Sequence, residues 1–142
     1  MASTLRTALA MDNYEFCTQW VVERCQASAQ PLRVLDYGCG SGKIVSKLLV
    51  KNVAAYGCDV FYEGGDYSDS VPKELFGTSV LRMSPDGQIP FGDNSFDLVI
   101  SNISKAKIKS IPPKHFHINY KTLQILIIED IKYTSSLTCH PF

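Results

Sequence analysis

Apolar positions recur at helical spacing from Asp12 to about Ala27, in DNYEFCTQWVVERCQA. Phe16 and Trp20 lie four apart, with Val21 less regular beside them. The spacing predicts an amphipathic helix that Asp12 or Asn13 can cap. Pro31 closes the connection, and LRVLDY reads as a short apolar strand ending in a glycine-rich turn. In KIVSKLLVKN, Ile44, Leu48 and Leu49 share one helical face, and VAAYGCDV follows as a second apolar strand. Strand, turn, helix and strand in that order predict two parallel strands joined by a right-handed crossover.

The next stretch, FYEGGDYSDSVPKELFG, is rich in turn residues, with a short helix expected around Pro72 to Phe76. SVLRM is a weak third strand, SPDGQIPFGDNS is turn chemistry throughout, and FDLVISN is a clear fourth strand. Beyond Asn102 the pattern changes. The segment holds no glycine, breaks at Pro112-Pro113 and has no convincing period. TLQILIIE, residues 122–129, reads as one replacement strand, and no sixth or seventh strand can be placed. The alternation predicts a Rossmann-like α/β fold: a mostly parallel sheet with flanking helices and atypical or incomplete C-terminal strands. The expected division is a core over residues 1–102 and a divergent tail over 103–142.

The 142 residues allow one domain, and 45% apolar against 20% charged residues suits a globular chain. No run approaches the ~20 apolar residues that span a bilayer. The N-terminus lacks the form of a signal peptide or anchor, so a cytoplasmic protein is expected. The zero net charge hides a split: eight Lys+Arg against twelve Asp+Glu through residue 102, then six Lys against Glu129 and Asp130. The acidic body gives no support for a nucleic-acid face. Five cysteines without paired spacing suggest reduced thiols. His115 and His117, with Cys139-His140, lack the spacing of a metal motif, so no metal is expected.

The turn in VLDYGCGSGK then needs a ligand. A triphosphate loop would require glycine where Tyr37 stands and Ser or Thr where Ile44 stands. A dinucleotide fingerprint fits Gly38 and Gly40, but its third glycine comes one position early, at Gly42. This keeps an NAD-dependent oxidoreductase as an alternative, although Asp36 would sit unfavourably beside a pyrophosphate. S-adenosylmethionine suits the charges better, because it has an ammonium and a ribose diol but no phosphate. Asp36 at the first strand end can accept from the ammonium. Asp59, 23 positions later at the second strand end, can take both ribose hydroxyls.

VLDYGCGSG, GCDV and IPFGDNSFDLVISN together resemble the class I S-adenosylmethionine-dependent methyltransferases, over about Asn13 to Asn102. The resemblance implies a seven-stranded, mostly parallel sheet with S-adenosylmethionine as cofactor. By position, Asp36 would hold the methionine ammonium, Gly38, Gly40 and Gly42 would shape the turn, and Asp59 would take the ribose. The loop from Ser84 to Gly87 would lie beside the adenine, with Asp86 as a candidate partner of its exocyclic amine. Ser101 and Asn102 would face the methyl-transfer cleft. No general base can be assigned, and the acceptor is unidentified.

Structural roles suffice for several neighbours: Asp97 as a strand anchor, Phe91 and Phe96 in the core, Cys39 for its small size, Lys43 in solvent. After Asn102 the sequence departs from the family pattern. A shortened form is therefore expected, and a non-catalytic protein that pairs through an open sheet edge is the alternative.

Overall fold

A computed structural model describes residues 13–92, 95–101, 124–127 and 138–141. Helix α1 (Asn13–Ala27) leads into strand β1 (Arg33–Tyr37), helix α2 (Lys43–Val50) and strand β2 (Ala54–Asp59). A 3-10 turn (Ser68–Ser70) precedes β3 (Val80–Arg82), β4 (Leu98–Ser101), β5 (Gln124–Ile127) and β6 (Thr138–Pro141). The sheet order is β3-β2-β1-β4-β5-β6. All neighbours pair parallel except β5 and β6, which are antiparallel. The Rossmann-like reading holds, and TLQILIIE does supply a fifth strand, at Gln124–Ile127.

Successive residues of β1 point to opposite faces, and both faces are buried. Val34 packs with Val21, Ile44, Val45, Leu48 and Ile100 under the two helices. Leu35 packs with Cys58, Met83, Phe96 and Val99 on the other side. Burial on both faces explains why these strands read as continuous apolar runs rather than alternating ones.

Three expectations need correction. The buried stripe of α1 runs through Cys17, Thr18 and Val21, one position on from Phe16 and Trp20, which are half-buried. Trp20, which packs against the edge of the core, also lies under the Arg24 guanidinium, 4.2 Å from the ring centroid and within cation–π range. No helix forms at Pro72–Phe76: Leu75 and Phe76 both donate to the Pro72 carbonyl, and the chain turns once. Gly77, at φ +87°, takes the left-handed conformation that ends propagation. Finally, a sixth strand exists where none could be placed, because Thr138–Pro141 lies antiparallel beside β5. Its sequence, TCHP, lacks alternation, and its proline is tolerated because the strand occupies the sheet edge.

Asp97 anchors the start of the central strands, as expected. Its carboxylate accepts from Arg33 N at 2.9 Å, and its own N–H donates to Arg33 O at 2.9 Å. Phe91 and Phe96 stack edge to face, 5.0 Å between centroids, and Phe96 is buried. The architecture thus brings the C-terminal ends of β1, β2 and β4 side by side, and these ends carry Asp36, Asp59 and Ser101.

Candidate functional site

The turn after β1 is held by the end of β2. Gly38 N and Cys39 N both donate to Cys58 O, at 2.8 and 3.1 Å, and Gly42 N donates to Cys39 O at 3.0 Å. Gly38, Gly40 and Gly42 have φ values of 75°, 55° and 80°, a region that side chains disfavour. A Cβ on Gly40 would meet nothing within 4 Å, so this stretch of backbone is open to close approach. Gly42 then caps α2 with no side-chain hydrogen bond, which leaves first-turn N–H groups without a side-chain acceptor.

Asp36 lies under this turn, 2% exposed, and its Oδ1 has no hydrogen-bond partner. Burial, reinforced by the charge on Asp59, pushes its carboxyl up to about 8. A buried carboxyl without a partner is costly, and a cation brought within reach would remove the cost. Asp59 is differently placed. Its Oδ2 accepts from Gly40 N at 2.9 Å, and its Oδ1 accepts from Phe61 N at 2.8 Å and from the Tyr67 hydroxyl at 2.9 Å. The second acid therefore also fixes the glycine turn.

The remaining candidates divide. Ser84 Oγ donates to Asp86 Oδ1, which also accepts from Gln88 N at 3.2 Å, so these side chains close their own exposed turn. That turn is tethered to β1, because the Tyr37 hydroxyl donates to Gly87 O at 3.4 Å. Burial raises the Tyr37 phenol to about 12, which keeps it a donor. Ser101 is buried, and its hydroxyl donates to Tyr37 O at 2.9 Å, joining the ends of β4 and β1. Asn102 lies outside the described residues, as do His115, His117 and the side chains of Cys139 and His140. Among the described residues no group of three or more His, Cys, Asp or Glu could hold a metal ion. Lys43 is exposed, with its ammonium 5.0 Å from the Tyr14 ring centroid. Cys17, Cys39 and Cys58 are buried, and burial raises the pKa of Cys39 and Cys58.

Sequence reasoning missed Tyr67 and Tyr37. Tyr67 lies eight residues beyond Asp59 in a loop with no periodicity, so only the fold brings the two together. For Tyr37, directly after Asp36, an aromatic residue beside a strand-end acid was the only signal. A groove of about 470 Å³ between α1 and α2, lined by residues including Glu15, Val22, Lys47 and Val50, shares no residue with this site. It lacks the buried acids and open glycine backbone that give the strand ends their chemistry.

A family model described as a methyltransferase domain matches residues 35–111, from within β1 past the end of β4. The chain belongs to the methyltransferase domain family. The resemblance to class I S-adenosylmethionine-dependent methyltransferases is thereby borne out. No curated protein sequence matches the chain significantly.

Among solved structures, this methyltransferase domain is similar to a putative S-adenosyl-L-methionine-dependent methyltransferase of Methanococcus maripaludis. The two share 18% identity at a TM-score of 0.56, over 80% of this chain and 54% of that one. DesVI of Streptomyces venezuelae matches at 15% identity and 0.56, over 81% and 50%. The sugar N-methyltransferase KedS8 of Streptoalloteichus matches at 15% and 0.55, over 89% and 52%. These likenesses establish the fold. The chain spans about half the length of these structures.

The residues present fit the cofactor that the family implies. Asp36 offers a buried, unpartnered carboxylate oxygen, Gly40 offers open backbone, and Asp59 offers a second acid on the same side of the turn.

Proposed function

We propose that the chain binds S-adenosylmethionine at the ends of β1 and β2 and directs methyl transfer to an acceptor. The observation that carries this reading is the unpartnered Oδ1 of Asp36, which an ammonium would satisfy. In the bound state Asp36 is ionised and accepts from the methionine ammonium, and the first N–H groups of α2 receive the carboxylate. Asp59 accepts from the ribose. The loop from Ser84 to Gly87, tethered by Tyr37, borders the adenine. Ser101 keeps the floor of the cleft rigid through its bond to β1.

The cofactor, when bound, supplies a methyl group on a sulfonium, a leaving group that needs no protein activation. The protein's share is to position the acceptor in line and exclude water, for which proximity can contribute roughly 7–11 kcal/mol. In this reading the described residues through Ser101 seat the donor. No helix among the described residues is long and apolar enough to cross a membrane. The family match favours methyl transfer over the nicotinamide alternative.

Incubating the full chain with methyl-tritiated S-adenosylmethionine and separate pools of small molecules, protein and RNA tests the activity. Label should enter one pool, at a rate reduced at least tenfold in Asp59→Ala. Binding without transfer to any pool would instead favour a non-catalytic binding protein.

A further inference from the structure

The Asp59 carboxylate is already heavily used by the chain itself. Two carboxylate oxygens offer about four lone-pair positions. Oδ1 accepts from Phe61 N and from the Tyr67 hydroxyl, which fills it. Oδ2 accepts from Gly40 N, which leaves one position. A ribose diol that gave both hydroxyls to Asp59 would need one of these donors to withdraw.

None of the three is loosely held. Gly40 N belongs to the glycine turn. Phe61 N is fixed because Phe61 is fully buried at φ +58°, an unusual conformation for a bulky residue. Tyr67 is fastened to Phe61 twice, through Tyr67 N to Phe61 O at 3.0 Å and through an edge-to-face ring contact at 5.7 Å. Its carbonyl accepts from Ser70 N at 3.0 Å and Ser70 Oγ at 2.8 Å. Arg82 at the end of β3 holds the residues that precede each aromatic, pairing with Asp66 at 3.0 Å and donating to Val60 O at 3.2 Å. Burial, and then the bond to Asp59, raise the Tyr67 phenol above its ordinary range, so it stays a donor.

We propose that Tyr67 is a positioning residue that holds Asp59 so that the carboxylate accepts one ribose hydroxyl, through Oδ2, rather than two. The consequence is a specificity at the ribose: one hydroxyl of the diol carries the binding and the other is left to water or to a different group. This rests on Asp59 being the ribose acid, and the test separates the two claims.

The test measures dissociation constants of S-adenosylhomocysteine and of its 2′-deoxy and 3′-deoxy analogues for the full chain and for Tyr67→Phe. In the wild type one deoxy analogue should bind about tenfold weaker or more, the size of one hydrogen bond to a charged group, and the other within about twofold. In Tyr67→Phe the freed Oδ1 becomes available to the second hydroxyl, so both deletions should weaken binding. A merely structural role for Tyr67 would weaken all three ligands by one common factor and leave their ratios unchanged, and that result overturns the proposal. Equal losses for both analogues in the wild type also overturn it, while leaving Asp59 as the ribose acid. No loss for either analogue removes Asp59 from the ribose altogether, and the proposal falls with it.

Discussion

Asp36→Asn should weaken S-adenosylhomocysteine binding by at least about 30-fold, the low end of the roughly 2–5 kcal/mol lost when one partner of a buried charge pair is removed. The same change should make the ligand-free protein more stable at alkaline pH. Asp36 is buried with Oδ1 unpartnered, and its pKa rises from 3.8 to about 8. Between those values the folded chain holds a proton that the unfolded chain has released, so stability falls as pH rises through this window and levels off above it. Asparagine stays neutral and removes that slope. Thermal melts from pH 5 to 9 should show a declining melting temperature for the wild type and a flatter one for Asp36→Asn. Pairing with an ammonium requires the ionised acid, so wild-type binding near pH 7 should release a proton, seen as a buffer-dependent calorimetric enthalpy. If Asp36→Asn binds normally and melts with the same pH slope, the acid is not the ammonium partner.

Gly57→Ala should be the most damaging small substitution in the described core. Gly57 lies in β2, paired with Asp36 of β1. A Cβ there would come within 2.8 Å of both Cys39 Cβ and Cys39 Sγ, and within 3.0 Å of Val45 Cγ2. Because Cys39 Cβ is fixed to the backbone of the glycine turn, relief requires the turn itself to move. Overpacking of this kind costs about 1–3 kcal/mol, a drop of several degrees in melting temperature. The displaced turn should also lower S-adenosylhomocysteine affinity at least tenfold. Adding Cys39→Gly removes both of the nearest atoms and should restore most of the stability. A wild-type melting temperature for Gly57→Ala alone would mean that strand and turn do not approach this closely.

The features that face the site were largely legible in the sequence, because they depend on local chemistry. RVLDY and LVIS are apolar on both faces since helices or packed loops cover both sides of the sheet. The acids could be placed because each ends a strand, and the three glycines because the turn needs positive φ at each of them. What escaped depends on tertiary contacts. The phase of α1 was misjudged because Trp20 offers the larger apolar surface, yet Cys17 and Val21 fit the close approach to the sheet. β6 escaped because edge pairing with β5, not its own pattern, makes TCHP a strand. The Ser101 hydroxyl turns back to Tyr37 O, which residue type alone cannot reveal. Tyr67 was invisible for the same reason: nothing in GGDYSDS says that its hydroxyl reaches Asp59.

Calorimetric titration of the full chain with S-adenosylhomocysteine and, separately, with NAD tests most directly whether the two strand-end acids form a methyl-donor site. S-adenosylhomocysteine should bind with one-to-one stoichiometry, with affinity lost in Asp36→Ala and reduced in Asp59→Ala, and NAD should give no heat of binding. Saturable binding of NAD with none of S-adenosylhomocysteine would contradict the account.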